Sequence, residues 1–251
     1  MSFWFFLPPG DLYNQEHIIL KGKVFTHLKA ARLRPGERIV LADGRGRAFA
    51  ARLLSRGAQS AEAKILHELD RNAEPPLEVT LFSGIAKGEK MDRIVRQSVE
   101  LGVSKIVPVL TERTVVKLKR GKGEERARRW QNIAFAAAAQ CRRSFVPEVL
   151  KPLSFTEMLD LLHGEKMILV PWEEERERGL RHLVESIKVP PQSVCIFTGP
   201  EGGIAPREME KLKRLSGFYP LTLGPRILRA ETAPLAVLAV LMYVWGDLGC
   251  Y

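Results

Sequence analysis

Hydrophobic and polar positions along the chain follow two different rhythms, and the change falls near Asn72. Before it the apolar runs are short and bounded by turn residues. Ile18–Leu20, Ile39–Ala42, Ala48–Leu54 and Ala61–Leu69 read as strands, the last with Ala63, Ile65 and His67 on one face. Phe25–Leu33 reads as a brief helix that Pro35-Gly36 terminates, and Asp43-Gly44 is the strongest tight-hairpin signal in the chain. Several short strands joined by tight turns predict a small β-barrel over residues 1–71.

Glu74-Pro75-Pro76 breaks any regular element, so 72–76 reads as a linker that opens a second domain over 72–251. From there strands and helices alternate. Leu77–Phe82, Ile106–Leu110, Met167–Val170, Val194–Phe197 and Tyr219–Leu223 are the strands. Glu89–Leu101 (closed by Gly102), Glu124–Gln140, Leu153–Leu162, Gly179–Ile187 and Pro206–Leu215 are the helices. The helix over 124–140 turns Trp130, Ile133, Ala134, Ala137, Ala138 and Cys141 to one stripe. Such alternation predicts an α/β domain with a largely parallel sheet. The final helix, Thr232–Trp245, has Thr232 placed to cap it and Pro234 in its first turn, and it is apolar nearly all round. It must be covered by the sheet or by a second subunit.

Two of the predicted strands end in Gly-Pro turns, Thr198-Gly199-Pro200-Glu201-Gly202-Gly203 and Leu223-Gly224-Pro225-Arg226-Ile227-Leu228-Arg229. Read from the pattern alone, the two strand ends lie side by side and present main-chain groups to a ligand, as strand ends of open α/β sheets do. A helix opening after Gly203 suggests phosphate first. No Lys-Ser/Thr of a P-loop and no Gly-x-Gly-x-x-Gly accompanies either turn, so both standard phosphate patterns are excluded.

Composition adds a partner. Across 251 residues, 39 Lys and Arg against 29 Asp and Glu give a formal charge of +10, which favours a polyanion such as nucleic acid. Seven arginines between Arg32 and Arg56 give the barrel a positive surface. The 3 cysteines are too few and scattered for a disulfide framework, and no spacing offers a metal site. Phe3–Leu7 is too short to cross a bilayer, with neither the basic flank nor the cleavage site of a signal peptide, so a cytoplasmic protein is expected.

The run Leu223-Gly224-Pro225-Arg226-Ile227-Leu228-Arg229-Ala230-Glu231-Thr232, combined with Gly199 to Gly203, is highly specific. With Lys87-Gly88-Glu89-Lys90-Met91-Asp92, Glu100-Leu101-Gly102-Val103, Gln140-Cys141-Arg142-Arg143, Val146-Pro147-Glu148 and Gly246-Asp247-Leu248-Gly249, it makes the chain resemble the SPOUT superfamily of methyltransferases. Within it the resemblance is to the RsmE family, small-subunit ribosomal RNA N3-uridine methyltransferases, over essentially the whole length. It implies a trefoil-knotted methyltransferase domain behind a PUA-like barrel, a homodimer, and S-adenosyl-L-methionine held by Thr198, Gly199, Pro200, Glu201, Gly202, Gly203, Leu223, Gly224, Arg226, Ile227, Leu228, Thr232 and Ala233. The implied substrate is a uridine of 16S ribosomal RNA in the small ribosomal subunit, with no metal and no membrane.

Uridine N3 carries a proton, and its lone pair is delocalised into two carbonyls. Methylation there calls for a proton acceptor and for positive charge beside the uracil oxygens. Arg229, just beyond the second turn, is placed to supply the charge. Glu231 and Glu201 are the nearest carboxylates, able either to take a proton or to cap a backbone N–H. Lys87 and Lys90 read as phosphate contacts or as solvated basic surface. Gln140 and Arg143, one helical turn apart, read as contacts to the uridine or its neighbour, and Arg32 and Arg34 as barrel contacts to RNA. A methyltransferase of another RNA such as tRNA, or a non-catalytic assembly factor, are the alternatives; intact cofactor turns argue against the second.

Overall fold

The computed structural model describes residues 3–13, 15–69, 74–116 and 121–249. The chain divides into two compact units. One gathers the residues up to Glu74 with Ala138–Val146, and the other holds Pro75–Ala137 and the residues from Pro147 onward.

In the first unit the elements are β1 (Phe3–Phe6), α1 (Pro9–Leu12), β2 (His17–Leu20), α2 (Gly22–Ala30), β3 (Arg38–Ala42), β4 (Ala48–Arg56) and β5 (Ala61–Glu68). They build a five-stranded sheet in the order β1-β3-β4-β5-β2. All pairs are antiparallel except β1 with β3, which place Phe3 opposite Ile39 and Phe6 opposite Ala42 in parallel register. Alternation along β1 sends Phe5 to the main core with Leu20, Leu28, Leu41 and Leu53, and sends Trp4 and Phe6 to a smaller cluster on Val40, Ala42 and Ala48. Most of Phe3–Leu7, which the pattern showed only as an apolar run, is therefore an edge strand, Phe3–Phe6. Register shifts in the β4–β5 ladder at Ala50/Ala51 and Leu53/Ser55 add local twist and bend. Among the described residues β1 and β2 do not pair with each other, so the barrel is incompletely closed.

The Asp43-Gly44 connection is longer than a two-residue hairpin. The buried Asp43 carboxylate organises it, accepting from the N–H groups of Arg45 (2.7 Å) and Arg47 (3.0 Å) and from the Tyr13 hydroxyl (2.6 Å). Burial alone would raise the Asp43 pKa; these donors and the Arg47 charge outweigh it and hold it below the usual aspartate range. Part of the expected linker, residues 72 and 73, lies outside the described residues. Glu74 is anchored rather than loose: its carboxylate accepts from Arg143 Nε (2.9 Å), Arg143 Nη2 (2.6 Å) and the Phe145 N–H (3.0 Å).

The second unit comprises β6 (Glu78–Gly84), α3 (Lys90–Glu100), β7 (Lys105–Leu110), α4 (Lys122–Cys141, whose last turn belongs to the first unit), β8 (Glu148–Val149), β9 (Leu153–Ser154), α5 (Phe155–Leu162), β10 (Ile168–Pro171), α6 (Leu180–Ser186), β11 (Ser193–Thr198), α7 (Pro206–Leu212), β12 (Phe218–Leu221) and α8 (Ala233–Val244). The sheet is parallel throughout, ordered β12-β10-β11-β6-β7-β8 with β9 also on β7. Residues Leu153 and Ser154 pair with Val109 and Leu110 rather than opening a helix. Helix α5 begins only after them because Ser154 and Glu157 form a reciprocal capping box.

One sheet face, with Phe82, Val107, Val170 and Phe197, packs on Phe155 and Met158 of α5 and Met209 of α7. Helix α8 packs on α3, β6 and β11 and buries Pro234, Val237, Leu238, Leu241 and Met242. Its other side is uncovered: Val240, Tyr243 and Val244 are 37%, 70% and 39% exposed. Thr232 makes no side-chain cap. The Arg229 carbonyl instead accepts from the N–H groups of Thr232 (2.8 Å) and Ala233 (3.0 Å) and turns the chain into α8.

Candidate functional site

The two Gly-Pro turns do not follow neighbouring strands. Strand β10 lies between β11 and β12, so the strand ends that carry the turns are separated by Pro171 and the residues after it. Strand pattern cannot show this, because a parallel sheet need not place consecutive strands side by side. The gap creates a cavity of about 410 Å³ at the carboxyl edge of the sheet, within the usual size range for small-ligand sites. Positions 198–203, 223, 224, 226–229 and 233 all line it. So do Pro171, Trp172, Glu173 and Arg176, which the sequence reading missed; no glycine marks that strand end as special.

Close main-chain packing shapes the first turn. A Cβ at Gly84, at the end of β6, would lie 2.5 Å from both Cδ and N of Pro200, so only glycine lets the turn approach the strand. The Gly203 N–H donates to the Pro200 carbonyl (2.9 Å), and Gly203 has φ +73°. The position a Cβ would take there lies 2.5 Å from Oε1 of Glu173, which brings a carboxylate from the third strand end against the turn.

The polar groups of this edge fall into two sets. Glu208, buried near the start of α7, accepts from the N–H groups of Ala205 (3.3 Å) and Glu112 (2.8 Å). The helix entrance that suggested phosphate is thus occupied by the chain's own carboxylate. Glu201 accepts from the Lys87 N–H (3.0 Å) and from Lys90 Nζ (2.9 Å). Burial opposes its ionised form, but Lys90 and the backbone donors prevail and keep it below the usual glutamate range. The second set makes no hydrogen bond among the described residues. Thr198 Oγ1 and Glu231 Oε2 are buried with no hydrogen-bond partner among the described residues. Lys90 Nζ stands 3.9 Å from Glu231 Oε2, too far for a hydrogen bond, so one ammonium lies between two carboxylates.

Lys90 is therefore engaged inside the site, not held out to solvent as a phosphate contact. Glu231 joins the site through Lys90, and neither it nor Thr232 lines the cavity wall. Arg229 lines the cavity and its side chain is exposed. Cys195 lies buried in β11 with its thiol pushed up to about 12 by burial and by Glu165, so it offers no nucleophile at neutral pH.

The remaining expected RNA contacts are dispersed. Lys87 borders a second cavity of about 350 Å³ with Arg126, Arg129 and Trp130, where Arg129 pairs with Asp92. Gln140, Arg32 and Arg34 do not line either cavity. Arg143 does not share a helix face with Gln140: α4 ends at Cys141, Arg142 turns left-handed, and the Arg143 guanidinium points inward to Glu74. Among the described residues no group of acidic, His or Cys side chains could hold a metal, and no helix is long and apolar enough to cross a membrane.

A sheet-edge cavity lined by two Gly-Pro turns, in a chain that also carries a separate β-rich unit, agrees with two family models: an RNA methyltransferase domain over residues 73–242 and an RNA methyltransferase PUA domain over residues 20–66. The protein is thus of the RNA methyltransferase class. Ribosomal RNA small subunit methyltransferase E of Bacillus subtilis is 32% identical over 89% of this chain and 89% of its own length, and that of Synechocystis is 36% identical over 95% and 77%. A crystal structure of the Neisseria gonorrhoeae enzyme of the same name, bound to S-adenosyl methionine, superposes with a TM-score of 0.88 at 38% identity, covering 98% of this chain and 99% of that one. A Legionella pneumophila putative methyltransferase, also in complex with that cofactor, gives 0.86 at 31% identity, covering 98% and 99%. The chain belongs to the ribosomal RNA small subunit methyltransferase E family.

Proposed function

We propose that this chain transfers a methyl group from S-adenosyl-L-methionine to N3 of a uridine in 16S ribosomal RNA of the small ribosomal subunit. The observation that carries the cofactor is the sheet-edge cavity itself: both Gly-Pro turns line it, and one lining residue, Thr198, keeps a buried hydroxyl with no hydrogen-bond partner among the described residues. A buried donor left unpaired is costly, and a ligand that pairs it removes the cost. The residues fit an adenosyl group through peptide donors and acceptors of 198–203 and 222–229, with Glu173 and Arg176 closing the third side. When bound, the cofactor supplies a sulfonium methyl.

The chain's own part is to position the base and move its proton. Glu201, which lines the cavity, and Glu231, which joins it through Lys90, are the candidate proton acceptors. Lys90, between the two carboxylates, orients Glu231 and balances its charge. Arg229, exposed on the cavity wall, offers its guanidinium to the uracil oxygens as N3 loses its proton. The first unit acts as the RNA-grasping PUA domain and the second as the methyltransferase domain. The uncovered stripe Val240, Tyr243 and Val244 supports a homodimer packed on α8. A trefoil knot agrees with the path from edge strand β12 back to α8 on β11, β6 and α3. A cytoplasmic site of action follows from the substrate.

The test is transfer of a labelled methyl group to small subunits or 16S transcripts lacking the modification, with the modified base mapped. Appearance of N3-methyluridine is expected; the absence of any methylated uridine would overturn the reading. Arg229→Ala should keep cofactor affinity within a small factor in calorimetric titration and lower turnover by ~10²-fold. Surviving turnover would remove Arg229 from its role.

A further inference from the structure

Only two described residues other than glycine have left-handed backbones, Arg32 (φ +55°) and Arg142 (φ +64°), and both are arginines within two residues of a helix end. At the end of α2 the Leu33 N–H donates to the Leu28 carbonyl (3.4 Å), and at the end of α4 the Arg143 N–H donates to the Ala138 carbonyl (3.0 Å). Those six-residue closures require the intervening residue to be left-handed, a place glycine fills without strain. A side chain with a Cβ is strained there, and a retained strain calls for an account of what it holds in place.

At Arg142 the surroundings supply one. The left-handed turn sends successive arginines to opposite fates. Arg143 goes inward, 5% exposed at its side chain, to Glu74. Arg142 goes outward, exposed, and no hydrogen bond or ion pair engages its guanidinium among the described residues. The turn it sits on is laced to the Asp43–Arg47 loop through Gly46 N–H to the Ser144 carbonyl (3.3 Å) and Val146 N–H to the Gly44 carbonyl (3.0 Å). Arg45, which bridges Phe145 through its backbone, is exposed, and its guanidinium too has no hydrogen bond or ion pair among the described residues. Its neighbour Arg47, by contrast, is taken up by Glu68 through two bonds of 2.7 Å. Two guanidinium groups that are free among the described residues therefore project from one doubly laced loop pair within the first unit.

We infer that Arg142, with Arg45 beside it, is a phosphate contact for the RNA strand, and that Arg143 is the positioning residue that holds the turn presenting it. The inference rests on the proposed RNA substrate. A free guanidinium matches phosphate oxygens in a planar fork, and two on adjoining backbones suit successive phosphates. A bare capping role, in which the Arg142 charge answers the carbonyl end of α4, is the competing account.

Arg142→Gly separates them, because it removes the charge and relieves the backbone. Binding of a 16S ribosomal RNA transcript to the full chain would be measured across a salt series, with melting temperature and cofactor affinity alongside. The expected result is RNA affinity lower by about 3- to 10-fold at low salt, and a log–log salt slope shallower by about 0.7–0.9 for each phosphate that is no longer neutralised. Cofactor affinity should be unchanged and the melting temperature at or above that of the natural chain. Arg142→Lys should keep the slope, and Arg45→Ala should reduce it. An Arg142→Gly variant that binds RNA with the natural affinity and slope overturns the inference, whether or not methyl transfer occurs. If the slope depends on Arg142 while the natural chain methylates no uridine, the inference stands and the proposed activity falls.

Discussion

The two units differ in where their unpaired polar atoms lie. In the first, Tyr13 donates to Asp43, Asp43 pins its own loop, the exposed Arg47 lies over the rings of Tyr13 (4.6 Å) and Phe49 (5.2 Å) while gripping Glu68, and Arg143 is closed on Glu74; the one buried side-chain polar atom without a hydrogen bond among the described residues, Ser144 Oγ, sits in the turn after α4. At the strand-end edge of the second, Thr198 Oγ1 and Glu231 Oε2 are buried without hydrogen bonds among the described residues. Satisfied networks give a scaffold whose leftover guanidinium groups point to solvent; Thr198, by contrast, belongs to the lining of the cavity, where a ligand can pair what the chain leaves unpaired.

The contrast is most severely tested at Arg143. Removing one member of a buried ion pair leaves the other uncompensated, so Arg143→Met should cost about 3–5 kcal/mol in denaturant-induced unfolding of the first unit. Combining it with Glu74→Met should restore much of that stability. A single variant with natural stability would show that this network is not structural. Next in size is Gly84→Ala, whose added methyl meets the main chain and ring of Pro200. Displacing the turn should cost about 1–3 kcal/mol of stability, and cofactor affinity should drop markedly in calorimetry.

Thr198→Val sharpens the comparison further, since it deletes a hydroxyl that makes no internal bond among the described residues. Thermal stability should hold or rise, while cofactor binding weakens by about 0.5–1.5 kcal/mol. Unchanged cofactor affinity would mean that the orphan hydroxyl is not a ligand contact. The smallest effect concerns acid. The Asp43 pKa is depressed in the folded state, so its contribution is fully present above about pH 4, the ordinary aspartate value, and is lost as pH falls through the depressed value. Asp43→Asn should therefore flatten the decline in stability below about pH 4, read from melting curves over a pH series.

Much of this architecture was legible in residue order. Local alternation located β3, β4, β5 and most strands of the parallel sheet, because each buries one or both faces and its composition follows from that burial. The motif 199–203 and the run 223–229, both of which line the cavity, were visible as special turns, since glycine and proline mark unusual backbone wherever they occur. Helix α8 was recognisable as a segment needing cover, although one stripe of it stays bare in the chain by itself.

Other features were decided only when distant segments met. The insertion of β10 between β11 and β12 depends on which strands pair, and it brought Glu173 and Arg176 to the cavity with no signature of their own. Whether Lys90 faced solvent or Glu201, and whether Arg142 or Arg143 turned inward, hung on partners 111 and 69 residues away. Sequence pattern registers what a residue buries along its own element. Charge pairing and strand order are set by long-range contacts, so the two turns were written in the chain while the arrangement of charges around them arose in the folded molecule.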